Sequence, residues 1–551
     1  MVHLAKKVKN GKIYLYLEER HWINGKSKRL WQIYLGPERE FKEKAQIISL
    51  PKIETKTIEF GLVAALHFVA KKISLVEVIN GFTEKRAQGL SVGEHLLLAA
   101  INRCVEPVSK TRLKEWVDST ILKTMYPNVS SALDSRSYWT HFKYFDEDTF
   151  ELIGEEIARI VTKKFNVSFE DLLFDPTNFF TFVHPKKENQ TLPRHGHSKE
   201  GRFTLNLINF SLFCALDGGV PFLHLVYPGN VQDAKHFKIA LKKLKRRLNK
   251  LNIPSSTVTL TFDKGNLSEE AFEFIDRENL HYIASIRPTT QKDLLTISTT
   301  EFDTHILPNN KAVGTKEIVR EIYGKPRRLI ASYNPKQAKW LIENFKTKVD
   351  GKKSEIIRFF QERLNTTRWS QKEKVLKKCR SILGSKRLSR VINVELSGEQ
   401  GALTLSPSIN QQAFDDHAVT LGKSFLITNR TDLKPQEVIW AYRQQYLVEQ
   451  AFKYLKHPKV LSVRPMFHRV DSSVRGHLFV CFLSLLLLTL LVRYLVNQNI
   501  PLSIPKTMKT LNNIKLTEIV VSGRKKSLIK VNKMDSETAL IYKALNLQQF
   551  V

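Results

Sequence analysis

Cysteine is scarce in this sequence of 551 residues, which contains four of them, far apart and without Cys-x-x-Cys spacing. This excludes a disulfide scaffold, gives no support for a cysteine zinc site, and fits a reducing cytosol. Glycine and proline are also infrequent, with 23 and 20 residues, so the composition is not that of a long disordered chain. The N-terminal residues contain no apolar run of signal-peptide length, and export is therefore not expected.

Acidic residues are outnumbered, with 54 Asp plus Glu against 87 Lys plus Arg and a formal net charge of +33. Such an excess attracts phosphates, so nucleic acid is the expected partner. Long apolar runs are rare too. Residues 478–492 form one, but it is shorter than the roughly 20 residues that span a bilayer, and Arg475 and Arg493 enclose it. We predict a buried core helix there and no membrane association.

Several modules are predicted along the chain. Alternating apolar and polar residues around Asn10-Gly11 and Asn24-Gly25 predict a small basic β-meander in residues 1–50. Its interleaved lysines and aromatic residues suit contact with a nucleic-acid backbone, and a solubilising face explains them equally well. The periodicity becomes helical over residues 51–165, which form a second candidate DNA-binding module.

The rest of the chain predicts an α/β protein. Strand-like segments with an intervening helix in residues 166–290, and another strand at 423–429, are typical of a mixed sheet. Residues 291–422, between them, combine strongly basic helical and β segments. A nucleic-acid-facing insertion explains this charge better than solvated helix faces do.

Three carboxylates stand out. Asp175 ends the apolar segment LLFD, Asp263 ends VTLTFD, and Glu449 lies in a helical stretch at 441–456. One stripe of that single predicted helix carries Tyr442, Gln445, Glu449, Lys453 and Lys456. Taken singly, each Asp is as easily a cap or turn former, and Glu449 a partner of surface lysines. Together, three hard oxygen ligands suit phosphoryl transfer with two Mg²⁺ ions.

These residues resemble a family, the insertion-sequence transposases with a DDE catalytic triad and a Tyr-x2-Arg-x3-Glu-x6-Lys signature. Tyr442, Glu449 and Lys456 match that spacing, whereas Gln445 occupies the Arg position and neighbouring Arg443 offers a compensating charge. The segments LLFDPTNFF and FDKGNLSEE look like the two Asp blocks of that family. The interval from Asp263 to Glu449 is more than twice that from Asp175 to Asp263, long enough for an additional domain.

The resemblance implies a fold and a set of site residues. The fold is an RNase H-like mixed-sheet catalytic core at 166–290 and 423–500, interrupted by a β-rich insertion domain at 291–422, with a C-terminal region at 501–551. Asp175, Asp263 and Glu449 are the implied catalytic residues and ligands of two Mg²⁺ ions, for which Mn²⁺ can substitute. The expected DNA-binding residues are Tyr442, Arg443, Gln445, Lys453 and Lys456, together with Arg194, Lys199 and Arg202 of the segment RHGHSKEGR. His195 and His197 in the same segment lack the further ligands of a zinc site.

The implied function is a transposase that binds the terminal inverted repeats of its element, cleaves the ends and joins the 3′-OH to double-stranded target DNA. The resemblance also implies a homodimer in the end complex and a prokaryotic, cytoplasmic, nucleoid-associated protein. Two alternatives stay open: a domesticated DNA-binding protein without catalysis, and an RNase H-fold nuclease that cuts without strand transfer. Only a transposase would join precleaved ends to a target.

Overall fold

The computed structural model describes residues 2–23, 25–45, 53–84, 89–127, 129–186, 190–464, 466–521 and 527–551. Asn24, of the second predicted Asn-Gly turn, lies outside them. The chain forms two compact units. The first contains residues 1–232, 242–254 and 446–551, and the second contains residues 233–241 and 255–445.

Strands occur throughout the described chain. They are β1 (Val2–Lys9), β2 (Lys12–Ile23), β3 (Lys26–Pro37), β4 (Ile53–Glu59), β5 (Asp171–Thr181), β6 (Asn206–Ala215), β7 (Pro221–Pro228), β8 (Thr259–Phe262), β9 (His281–Ile286), β10 (Asp303–Ile306), β11 (Ala312–Ile322), β12 (Lys325–Tyr333), β13 (Ile392–Ser397), β14 (Thr404–Ile409), β15 (Lys423–Thr428), β16 (Lys515–Val521) and β17 (Leu528–Val531).

The helices are α1 (Glu38–Ala45), α2 (Gly61–Lys72), α3 (Leu75–Gly81), α4 (Val92–Val105), α5 (Leu113–Asp118), α6 (Leu122–Met125), α7 (Val129–Ala132), α8 (Ser135–His141), α9 (Glu147–Phe165), α10 (Asp233–Lys250), α11 (Glu269–Arg277), α12 (Lys292–Leu295), α13 (Pro335–Phe360), α14 (Lys372–Leu383), α15 (Lys386–Val391), α16 (Gln411–Thr420), α17 (Pro435–Arg443), α18 (Tyr446–Lys456), α19 (Asp471–Asn497), α20 (Ile504–Asn512) and α21 (Ser536–Ala544).

The N-terminal strands form the expected meander. β1, β2 and β3 pair antiparallel in sequence order. Asn10 and Gly11, at the first turn, both have positive φ, at 49° and 73°. Two-residue hairpin turns of this kind need positive φ at both positions, which Asn and Gly adopt most readily. The local sequence therefore specifies this hairpin.

The apolar segment near the C-terminus is the centre of the first unit. Within α19, every residue from Val474 to Leu491 except Arg475 is buried, and the helix packs on α2, α4, α9 and β7. Among the described helices, α19 is long and apolar enough to cross a membrane. Its most apolar 18-residue window has a mean hydropathy of 2.4 and is 78% buried inside the protein. The predicted core helix is observed.

Strands β5, β6 and β7 form an antiparallel sheet in the first unit. We expected Asp175 to end its strand, because it closes the apolar segment LLFD and Pro176 comes next. That expectation is wrong: β5 continues to Thr181, and Asp175 lies mid-strand opposite Leu212. Proline lacks only the backbone donor, and its fixed φ is compatible with extended backbone, so a strand can continue through it where no partner needs that donor.

One histidine of this sheet should make the stability of the first unit depend on pH. The ring of His224, on β7, lies 4.5 Å from the ring of Phe482 and 5.7 Å from those of Phe210 and Phe479. Burial, with smaller contributions from the charges of Arg247 and Arg475, lowers the pKa of His224 to about 3. The folded protein therefore resists protonating this imidazole.

We expect His224→Phe to reduce the acid sensitivity of the protein. Because the pKa of the unfolded imidazole is about 6.5 and that of the folded one is lower, the unfolded chain binds the extra proton first. The contribution of this group to the free energy of unfolding is therefore fully present above about pH 6.5. It decreases at lower pH by about 1.4 kcal/mol per pH unit. Urea unfolding between pH 7.5 and pH 5 measures this. Exposed His195, changed to Phe, is the control, and an equally steep decrease in His224→Phe would contradict the assignment.

The second unit contains a mixed sheet. Its strands are ordered β10-β11-β12-β15-β9-β8, and all neighbours are antiparallel except the parallel pair β8 and β9. Helix α17 packs on β8, β9 and β11. Its residues Val438 and Ile439 are buried with Ile283, Ile330 and Leu426 of the sheet. The mixed sheet expected of an α/β protein is therefore present.

Residues 291–422 are more helical than predicted. Helices α13 to α16 contain more residues than the hairpin of β13 and β14. Strands β10, β11 and β12 belong to the mixed sheet. The description of this region as β-rich was therefore wrong. Its lysine-rich segments carry apolar residues at helical spacing, and these residues, among them Val349, Ile356, Val375 and Leu383, bury one another in a separate core.

The prediction of a single helix at 441–456 is also wrong. Helix α17 ends at Arg443 and α18 begins at Tyr446, with Gln444 and Gln445 in a turn between them. The backbone N–H of Gln445 bonds the carbonyl of Tyr442 at 3.0 Å, a three-residue step that tightens the helix end. Tyr442 therefore belongs to α17 in the second unit, and Glu449, Lys453 and Lys456 belong to α18 in the first.

Candidate active site

Asp175 and Glu449 lie on two elements that pack together in the first unit. Helix α18 packs on β5 and β6. Asp175 and Phe179 share one face of β5, because side chains alternate along a strand. Phe210 of β6 is on the same face, since it lies directly opposite Thr177. This is the face that α18 covers.

Two contacts define the direction of α18 over that face. Near its C-terminal end, the ammonium of Lys456 lies 5.8 Å from the centre of the Phe179 ring. One turn earlier, Phe452 lies 6.4 Å from Phe210, centre to centre. The helix therefore runs in the same direction as β5. Glu449 precedes Lys456 by about 10 Å of helix, and Asp175 precedes Phe179 by about 13 Å of strand. Both carboxylates therefore lie on the N-terminal side of these contacts, Glu449 on α18 and Asp175 on β5.

Glu449 is exposed at this position, and Asp175 is half-buried. The exposed Glu449 shares its helical stripe with Phe452 and Lys456, which both contact the β5–β6 face. Lys453, one turn beyond Glu449, is exposed as well. Both side chains are therefore accessible from solvent.

A carboxylate that the sequence did not reveal holds the cations at the other end of α18. Glu200 lies 3.1 Å from the ammonium of Lys456 and 3.0 Å from the guanidinium of Arg464. Burial lowers the pKa of Lys456, and the charge of Glu200 opposes that decrease. The guanidinium of Arg464 also lies 4.5 Å from the centre of the Phe180 ring. Glu200 thus fixes two cations beside the end of β5.

The loop that carries Glu200 is attached directly to β5. The amide of Asn178 donates to the carbonyl of His197 and accepts from the backbone N–H of Lys199, at 2.9 and 3.2 Å. The ammonium of Lys199 donates to the carbonyl of Pro176 at 2.6 Å. Lys199 therefore lies along the strand of Asp175. The guanidinium of Arg202 is 5.7 Å from the centre of the Phe180 ring.

Arg194 has a local structural role. Its guanidinium donates to the carbonyls of Gln190 and Pro193, at 2.9 and 2.8 Å. Its backbone exchanges two hydrogen bonds with Leu207, at 3.0 and 2.8 Å. The structure therefore brings Lys199, Arg202 and Lys456 together around β5, whereas the side chain of Arg194 binds the backbone of its own loop.

The third carboxylate, Asp263, lies in the second unit, directly after β8. Strand β8 pairs in parallel with β9, and Phe262 lies opposite Ala284, so the next residues are Asp263 and Ser285. The hydroxyl of Ser285 donates to Oδ1 of Asp263 at 2.5 Å. The hydroxyl of Tyr442 donates to the same oxygen at 3.1 Å. Arg443 is half-buried, and Gln445, with 6% of its surface exposed, is buried.

Comparison with known proteins identifies the family. A family model described as Transposase DDE domain matches residues 172–487, more than half of the chain. The chain belongs to this transposase family. The matched residues include Asp175, Asp263 and Glu449. No curated protein matches the transposase in sequence.

Among solved structures, the transposase is similar to the cryo-EM structure of the piggyBac transposase synaptic complex with hairpin DNA. The sequence identity is 10% and the TM-score is 0.37. The similarity covers 84% of this transposase and 82% of that chain.

The carboxylates predicted as metal ligands suit a hard divalent cation by their chemistry. Asp175, Asp263 and Glu449 offer only carboxylate oxygens, the ligand type that Mg²⁺ prefers. Within the described parts of the chain, no group of three or more His, Cys, Asp or Glu side chains is placed to hold a metal ion. Mg²⁺ sites in nucleic-acid enzymes commonly use one or two carboxylates and complete their coordination with water and substrate phosphates. The chemistry of these residues therefore fits a magnesium ion.

The sequence patterns did not predict Ser285 or Glu200 as parts of the site. The signal for Ser285 was present, since it ends an apolar strand-like segment, HYIAS, much as Asp263 ends VTLTF. Neighbouring parallel strands place their C-terminal ends at one edge of the sheet. Recognising β8 and β9 as a parallel pair would have placed these two residues together. Glu200 and Arg464 are far apart in sequence, and no local pattern connects them.

Proposed function

We propose that this transposase binds the terminal inverted repeats of its element, cleaves the ends and joins the liberated 3′-OH to target DNA by Mg²⁺-dependent phosphoryl transfer. The observation that carries the proposal is the packing of α18 along β5, the two elements on which Glu449 and Asp175 lie. Both residues lie within the family match. We further propose that the carboxylates belong to an RNase H-like core, interrupted by the additional segment between Asp263 and Glu449.

We assign Asp175, Asp263 and Glu449 as catalytic residues and ligands of two Mg²⁺ ions, with Mn²⁺ as a substitute. Bound ions of this kind lower the pKa of an attacking water or 3′-hydroxyl and stabilise the leaving oxygen of the phosphodiester. The contribution of the chain is to hold the three carboxylates in place, two of them on packed elements in the first unit. No covalent enzyme intermediate is needed, since water and the 3′-OH serve in turn as nucleophiles.

The cations around β5 are the proposed contacts to the DNA backbone. Lys199, Arg202, Lys453, Lys456 and Arg464 supply positive charge along α18 and β5, the elements that carry Glu449 and Asp175. The net charge of +33 would raise the local concentration of DNA and make binding sensitive to salt. We also propose the β-meander and the helical region as DNA-binding modules, with Arg443, Gln445 and Arg194 supporting the DNA site.

Two further parts of the proposal follow from the resemblance to insertion-sequence transposases. Synapsis of two DNA ends needs two copies of the active site, so a homodimer in the end complex is proposed. A cytoplasmic, nucleoid-associated prokaryotic protein would have direct access to DNA.

A strand-transfer assay tests the proposed reaction. We expect the full-length protein with Mg²⁺ to convert precleaved inverted-repeat ends, carrying a free 3′-OH, and a supercoiled plasmid into covalently joined products. The same ends with a terminal 3′-dideoxynucleotide should give none, because the nucleophile is missing. Gel separation of labelled ends measures the joined fraction, and the DNA that flanks the gene supplies the repeats.

The two alternative functions give different outcomes in this assay. A nuclease without strand transfer would cut uncleaved ends and leave precleaved ends unjoined. A domesticated DNA-binding protein would bind the repeats, as a gel shift shows, and neither cut nor join them with Mg²⁺ or Mn²⁺. Either outcome would replace the proposed function.

A further inference from the structure

Asp263 is held by hydroxyl groups from two separate elements of the second unit. Ser285 is the penultimate residue of β9, and Tyr442 is in the last turn of α17. Both hydroxyls donate to Oδ1 of Asp263, at 2.5 and 3.1 Å. Two donors that converge on one carboxylate oxygen from different directions restrict the rotation of that carboxylate.

The direction of the Ser285 hydrogen bond follows from its neighbours. Its hydroxyl oxygen accepts from the backbone N–H of Lys264 at 3.0 Å. A serine hydroxyl has one hydrogen, an N–H can only donate, and an ionised carboxylate can only accept. The hydrogen must therefore point at Asp263. Because Lys264 directly follows Asp263, the same hydroxyl holds both the side chain of the aspartate and the backbone beside it.

Packing of its ring holds Tyr442 in a position from which its hydroxyl also bonds Asp263. Its ring packs against the apolar cluster that α17 shares with the sheet, which includes Ile283, Val438 and Ile439. A tyrosine with a packed ring and a bonded hydroxyl loses little further freedom when it holds a partner. The packed ring thus fixes the position of the hydroxyl, which donates a hydrogen bond to Asp263.

We infer that Ser285 and Tyr442 are positioning residues, which hold Oδ1 of Asp263 so that its other oxygen, Oδ2, is presented to a divalent cation. This inference rests on the proposed metal role of Asp263. It gives Tyr442 a place beside the carboxylate, in contrast to the DNA contact expected from its position in the signature. Groups that orient metal ligands in this way commonly contribute about 10- to 100-fold in metal affinity.

Iron-directed backbone cleavage of the full-length protein tests the inference without DNA chemistry. Fe²⁺ with ascorbate and peroxide substitutes for Mg²⁺ and cuts the chain near the bound ion. We expect wild type to be cut close to residues 263 and 285. Ser285→Ala and Tyr442→Phe should raise the Fe²⁺ concentration for half-maximal cutting by about tenfold each. Ser285→Thr, which keeps the hydroxyl, should restore most of the wild-type value.

Matched controls come from the same sheet. Ser332, in β12, is buried like Ser285 and bonds Ser424 at 2.7 Å. Tyr333 is also in β12, three strands from β8, and packs on Phe302. Ser332→Ala and Tyr333→Phe should leave the Fe²⁺ midpoint unchanged. Urea unfolding of every variant shows whether a change in cutting is accompanied by a loss of stability.

Asp263→Asn separates failure of the inference from failure of the proposed function. If Asp263→Asn abolishes cutting near residue 263 while Ser285→Ala and Tyr442→Phe keep the wild-type midpoint, the positioning role is wrong and the metal role of Asp263 stands. If Asp263→Asn is cut like wild type, the proposed metal role of Asp263 is itself wrong. Should Ser285→Ala fail to fold, Tyr442→Phe and Ser285→Thr still decide the question. An unchanged midpoint in Tyr442→Phe would then overturn the inference.

Discussion

Glu449→Gln is expected to reduce both DNA cleavage and strand transfer by more than about 100-fold, because removing a group that only orients a metal ligand already costs about 10- to 100-fold. Glutamine keeps the size of the side chain and its helix propensity but removes the charge that a divalent cation requires. Glu449 is exposed on α18, so its replacement should not disturb packing. Initial rates of inverted-repeat cleavage and of joining from precleaved ends measure the two steps separately.

The control is an exposed glutamate on another helix of the first unit. Glu115, on α5, is exposed and makes an ion pair with Arg112 at 3.7 Å. Exposed pairs of this kind contribute at most about 1 kcal/mol, so Glu115→Gln should keep wild-type rates. If Glu449→Gln cleaved inverted repeats at the wild-type rate with an unchanged urea midpoint, Glu449 would not be the third catalytic carboxylate.

Gly229→Ala should destabilise the loop that carries Lys199 and Glu200. A Cβ atom built on Gly229 overlaps the carbonyl oxygen of Leu207 and lies 2.7 Å from that of Arg194. Both atoms belong to the backbone and are held by the two hydrogen bonds that Arg194 and Leu207 exchange. No side-chain rotation can relieve the overlap, so we expect a cost of about 3 kcal/mol, at the upper end for overpacking. Urea unfolding measures the loss of stability, and limited proteolysis shows whether the 194–202 loop opens.

Activity should decrease together with stability in this variant. Gly196, in the same loop, contacts the carbonyl of Gly229 so closely that a Cβ there would overlap it, which indicates that the two segments depend on each other. Gly81→Ala is the control in the same unit, because a Cβ at Gly81 meets no atom within 4 Å. Equal stability of Gly229→Ala and Gly81→Ala would mean that the loop can shift, and that its close approach does not fix the cations around β5.

Local sequence patterns predicted most of the elements that carry the site. Asp263 follows its strand as expected, and the N-terminal meander and the apolar helix are observed. These depend on short-range signals, namely alternation, Asn-Gly turns and a continuous apolar run. The local patterns failed at two points: β5 continues beyond Asp175, and the helix predicted at 441–456 is interrupted at Gln444 and Gln445.

The residues that support the carboxylates were harder to find. Ser285 meets Asp263 through the register of two parallel strands, and Glu200 meets Lys456 and Arg464 through tertiary packing. A single sequence does not show the register of paired strands or the packing of segments that are far apart in the chain. Asp175, Asp263 and Glu449 could be predicted as catalytic residues because Glu449 lies in a family signature and the two Asp segments resemble family blocks, whereas their hydrogen-bond partners belong to no short motif.

The burial of α19 decides how much of the chain is needed to obtain an active protein. The family match begins at residue 172, yet α19, which that match includes as far as residue 487, is covered by α2 and α4 from residues 61–105. A fragment that starts at residue 172 would present one of the most apolar surfaces of the protein to water. It should aggregate when expressed alone and regain solubility when residues 53–165 are supplied. We therefore expect that the start of the family match is not a folding boundary.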